Sequence, residues 1–63
     1  MKEYFYTNDL GFRKKFEIIY KREDGTYSTA IWSMNTGDLC GGGNMTKEEI
    51  IDFLKHYGIK ADF

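Results

Sequence analysis

Twelve residues, Phe12 to Glu23, constrain this chain more than any others. Phe12, Lys14, Phe16, Ile18, Tyr20 and Arg22 fall on one side of an extended backbone, and Arg13, Lys15, Glu17, Ile19, Lys21 and Glu23 on the other. A period of two with one largely apolar and one largely charged side is the pattern of a half-buried β-strand. The run ends at Asp24-Gly25, a tight-hairpin dipeptide, and Thr26 to Met34 is rich in β-branched and aromatic residues. These residues form the returning strand. Upstream, "KEYFYT" (residues 2–7) reads as a shorter edge strand, followed by Asn8, Asp9 and Gly11 as turn residues.

The C-terminal third changes period. Thr46 and Glu49 form the S/T-x-x-E capping box, and Met45 is placed to staple onto Ile50. Ile50, Phe53, Leu54 and Tyr57 recur at three- and four-residue spacing and give one apolar stripe. Gly58 suits the left-handed position after a helix, with Ile59 folding back on Leu54 and Lys55 and His56 complementing the helix dipole. The expected architecture is therefore α+β. A three-stranded antiparallel meander carries one C-terminal helix across one face, in βββα order, as a single small domain over residues 1–63.

The hairpin register is open between two solutions. A two-residue Asp24-Gly25 turn pairs Ile18 with Ile31 and Glu17 with Trp32, leaving Trp32 on the charged face. A three-residue Glu23-Asp24-Gly25 loop pairs Phe16 with Trp32 and Ile18 with Ala30, placing Trp32 in the core. One residue of slip exchanges the faces. The second is favoured, because an aromatic cross-strand pair adds roughly 0.2–1 kcal/mol and buries the largest side chain.

Size then raises a question of cover. With 63 residues, the folded chain hides only about 60% of the surface its unfolded form exposes. The single cysteine excludes an internal disulfide, and no Cys/His cluster supplies four zinc ligands. One helix shields one side of a sheet, so the other side keeps apolar residues in view. The expected contact face carries Ile19 beside Ile31 or Trp32. It includes Tyr4 and Tyr6 if Phe5 points inward, and it is rimmed by Arg13, Lys15 and Lys21. Rigid aromatics with long cations at the edge are the composition of a protein-binding surface.

Chemistry is less well supplied. "TGDLCGGGN" (residues 36–44) resembles a phosphate loop only superficially, because the Gly-Lys-Ser/Thr triplet and the G-x-G-x-x-G spacing are both missing. Glu48 and Glu49 already occupy the positive end of the helix dipole. Cys40 with His56 and Asp52 fails as a nucleophilic set, since His56 lies about 15 Å along the helix from its start. Cys40 is expected as a partly buried small side chain, and the three glycines as a flexible crossover from sheet to helix.

The net charge of −1 and pI of about 5.7 supply no field for nucleic acid, and Glu17 and Glu23 interrupt the basic row in "FRKKFEIIYKR". A weak single-stranded nucleic-acid binder, stacking bases on Tyr4, Tyr6 and Trp32, is the alternative. No apolar run approaches the roughly 20 residues of a membrane span. A lone thiol without a signal pattern fits a cytoplasmic setting. The sequence thus points to a non-enzymatic interaction module without cofactor or metal, pairing with itself as a homodimer or with a protein target. Inhibition of a host enzyme, in the manner of small phage proteins, is the concrete form expected.

Overall fold

The computed structural model describes all residues, Met1–Phe63. Four strands, β1 (Lys2–Thr7), β2 (Arg13–Lys21), β3 (Tyr27–Ser33) and β4 (Leu39–Met45), precede one helix, α1 (Lys47–His56). The sheet is a fully antiparallel meander in the order β1-β2-β3-β4. The α+β class and the single C-terminal helix hold, but the sheet has four strands where three were expected. The added strand is the glycine run itself. Gly41, Gly42 and Gly43 pair with Ile31, Ala30 and Thr29, so the segment expected as a crossover loop is a paired edge strand.

Its composition follows from how close it comes to β3. A Cβ on Gly42, whose φ is +124°, would lie 2.7 Å from the Ala30 Cα. Only a residue without a side chain fits there. The Thr29 hydroxyl donates to the Gly43 carbonyl at 2.7 Å, which adds a side-chain tie to the backbone ladder.

The favoured three-residue loop forms at the turn, but neither expected register continues along the strands. At the turn, the Arg22 N–H donates to the Thr26 carbonyl at 2.7 Å and the Gly25 N–H to the Arg22 carbonyl at 3.1 Å, which is the three-residue loop. Between Ile18 and Tyr20 the register then shifts, with Ile19 as the extra residue. Such a bulge exchanges the faces of everything beyond it. Phe16 therefore opposes Ile31, and Trp32 opposes Lys15. The expected Phe16/Trp32 pair does not form, and Trp32 lies on the side away from the helix.

The helix follows its local signals closely. The Glu49 N–H donates to the Thr46 hydroxyl at 3.1 Å, and the Thr46 N–H donates back to the Glu49 carboxylate at 2.8 Å, so both halves of the capping box are made. At the other end the Ile59 N–H reaches the Leu54 carbonyl at 2.9 Å and the Gly58 N–H the Lys55 carbonyl at 3.0 Å. With Gly58 at φ +73°, this is a Schellman ending. Only Thr46 separates the end of β4 from the start of α1.

Tyr4, Phe16, Ile18, Tyr27, Ile50 and Leu54 form the core between helix and sheet. Phe53 stacks on Phe16 at 4.8 Å between ring centroids and meets Tyr6 edge-on at 5.5 Å. After Gly58 the chain turns back beside the helix. Phe63 packs edge-on against Tyr27 at 5.2 Å, and Asp62 accepts from the Tyr4 hydroxyl at 2.5 Å and pairs with Lys2 at 3.0 Å. No helix is long and apolar enough to cross a membrane.

Candidate interaction surface

The ladder assigns each residue to a face. Along β1, Tyr4 and Tyr6 stand opposite Phe16 and Lys14, while Glu3, Phe5 and Thr7 stand opposite Glu17, Lys15 and Arg13. Alternation puts the first set under the helix and the second on the open side. The placement expected for Tyr4 and Tyr6 is therefore corrected, because Phe5 points outward. Tyr4 is a core residue held by Asp62, and Tyr6 packs on Phe53 and Tyr57. Ile31 also lies on the covered side, packed against the core. Arg13, Lys15, Ile19 and Trp32 do share the open face.

Burial and the hydrogen bond to Asp62 push the Tyr4 phenol above its ordinary range. The same contact, with Lys2, holds the Asp62 carboxyl below its ordinary range. Tyr6 is pushed up by burial first and by Tyr57 second.

The open face has a layered order. One level across all four strands is Phe5, Lys15, Trp32 and Leu39, and on one side of it lie Thr7 and Arg13. On the other side lie Glu3, Glu17, Ala30 and Gly42. Levels two residues apart are about 6.6 Å from one another. The face thus runs from cationic, through apolar, to acidic on β1 and β2 and bare on β3 and β4. Beyond Ala30 the Ile19 bulge adds an apolar edge. Ile19, Ala30, Trp32, Leu39 and the glycines enclose a shallow groove of about 580 Å³.

Three contacts fix this surface. The Trp32 indole N–H donates to the Glu17 carboxylate at 3.0 Å, which sets the orientation of the ring. Lys15 pairs with Glu3 at 3.3 Å and sits 5.9 Å from the Trp32 ring centroid. Phe5 is 59% exposed, Leu39 62% and Ile19 41%. Phe5, Leu39 and, beyond the bulge, Tyr20 opposite Ser28 are large exposed side chains of this face that sequence reasoning missed. Phe5 was legible as the odd residue between two tyrosines. Leu39 was hidden because its strand was not recognised.

Cys40 sits at the β3/β4 irregularity and is exposed, not partly buried as expected. Its thiol lies 3.4 Å from the Lys14 ammonium. His56 lies 3.4 Å from Asp9 in the β1–β2 loop, so Cys40, Asp52 and His56 are not brought together. No three His, Cys, Asp or Glu side chains converge into a cation site. Compared with protein-family models, with curated proteins and with solved structures, the chain matches none.

Proposed function

We propose that this chain is a non-enzymatic protein-interaction module that docks a protein through the open face of its sheet. The observation that carries the reading is the apolar level of exposed Phe5 and Leu39 with half-buried Trp32 between them, extended by Ile19, on the side that no element of the chain covers. Large apolar side chains fixed on a rigid sheet, with polar residues at the rim, supply contact area at low ordering cost. An enzyme inhibitor is one form such a module takes, blocking a site by occupying it. Arg13 and Lys15 are offset on the same face by Glu3 and Glu17, which weighs against a nucleic-acid backbone as the occupant.

The test places a photo-crosslinking residue at Leu39 and, as a control, at Ile51 on the helix side. A protein adduct from position 39 alone is the expected result. The purified partner should then bind about tenfold more weakly to Ile19→Lys and Leu39→Lys, with far-UV circular dichroism unchanged. Adducts to nucleic acid, or equal yields from both positions, would refute the reading.

A further inference from the structure

The order of levels on the open face is self-complementary, and we propose that its partner is a second copy of this chain, docked face to face. The inference rests on the reading of that face as a contact surface. The proposed two-fold axis runs along the level of Phe5, Lys15, Trp32 and Leu39, perpendicular to the strands. Rotation about this axis returns each strand over its own counterpart running the other way, stacks the apolar level on itself, and exchanges the levels on either side. Arg13 of one copy then stands over Glu17 of the other, and the same pair forms again by symmetry. Aligned packing of two sheets about 10 Å apart is an ordinary arrangement.

Three features of the single chain fit this occupant. Glu3 and Glu17 are directly opposite one another across β1 and β2, a like-charge pair that is unfavourable where it stands. Lys15 and the Trp32 indole offset it in part. Arg13 forms no ion pair within its own chain, so the face carries an unmet cation on one side of its apolar level and surplus carboxylate on the other. A four-stranded sheet with strands of six to nine residues presents a footprint of about 19 by 23 Å. That area corresponds to the weak end of specific interfaces, so self-association is sought at high protein concentration. Lys15 stands on the axis level and meets its own mate, which sets a further limit on affinity.

Sedimentation equilibrium from about 10 µM to 1 mM reads the result. The wild-type chain of 7.4 kDa should show a monomer–dimer equilibrium. Arg13→Glu and Glu17→Arg should each weaken it at least about tenfold, because both symmetric pairs become repulsive. An equimolar mixture of the two variants should recover the dimer, since a mixed pair restores both contacts. The double variant Arg13→Glu/Glu17→Arg should recover it alone. Lys15→Met should tighten association. Circular dichroism on every variant establishes that each is folded.

A wild-type chain that stays monomeric at 1 mM overturns the self-pairing. So do single variants that dimerise as well as wild type, or a mixture that fails to associate. None of these outcomes touches the crosslinking result from position 39, which decides whether the face binds protein at all.

Discussion

Replacing each glycine of β4 with alanine in turn tests whether the run is a strand or a connector. At Gly41 the backbone has no positive φ, and an added Cβ would meet only the Ile31 Cδ1 at 3.8 Å. Gly41→Ala should be neutral or stabilise by up to about 1 kcal/mol, through a less flexible unfolded chain. Gly43 has φ +134° with nothing within 4 Å, so alanine there carries backbone strain alone, about 1–3 kcal/mol. Gly42 combines φ +124° with a Cβ position 2.7 Å from the Ala30 Cα. Strain and the forced separation of β3 from β4 add, and the cost is about 2–6 kcal/mol.

A 63-residue domain has roughly 3–9 kcal/mol to lose, so Gly42→Ala is expected to remove much or all of its stability. Urea unfolding, followed by far-UV circular dichroism and by Trp32 fluorescence, measures the series. With a slope near 1 kcal/mol/M for so small a protein, the midpoint for Gly42→Ala should fall by about 2 M or more. Equal stabilities at positions 41, 42 and 43 would show that the glycines do not pair with β3 and would refute the fourth strand.

Three further outcomes follow from the packing and the caps. Leu54→Ala, at a fully buried site, should cost about 2–5 kcal/mol in the same unfolding assay, whereas Ile51→Ala on the exposed side of α1 should cost far less. Thr46→Ala removes the side-chain half of the capping box and should cost about 1 kcal/mol, with the amide of Glu49 exchanging faster by NMR. The Asp62 carboxyl is held below its ordinary value of 3.8 by the Tyr4 hydroxyl and Lys2. Its contribution is therefore complete above that value and is lost as pH falls through the lower folded-state value. Undocking of the Phe63 ring from Tyr27 in that acid window, followed by NMR, should be abolished as a separate step in Asp62→Asn.

Where the side chains themselves carry the pattern, the sequence was readable. The stripe of Ile50, Phe53, Leu54 and Tyr57 and both helix ends were legible because their information is local. So was β2, whose alternation survives as far as Ile18. The fourth strand was hidden because glycine lacks the side chain on which strand preference depends. What holds it is a backbone ladder and a close approach to Ala30, neither of which leaves a periodic trace. The face of Trp32 was lost for a different reason. Ile18 and Ile19 are consecutive apolar residues in an otherwise alternating strand, and that pair marks the bulge. A one-residue slip there reverses every side chain beyond it, so Trp32 could be assigned only after the bulge was located. The same slip accounts for Ile31, whereas Tyr4 and Tyr6 pair with an unshifted stretch of β2 and were misplaced because Phe5 was taken to point inward.

The single-residue joint at Thr46 makes the glycine strand the mounting for the helix. α1 is aimed across the sheet by the last residue of β4, and a joint this short leaves no slack to absorb a detached strand. Loss of the ladder at Gly41–Gly43 therefore carries the helix with it, and the bare ribbon of three strands left behind has nothing to cover Phe16 and Ile18. The molecule opens as one body, and the amides of β4 and α1 should share a single exchange free energy.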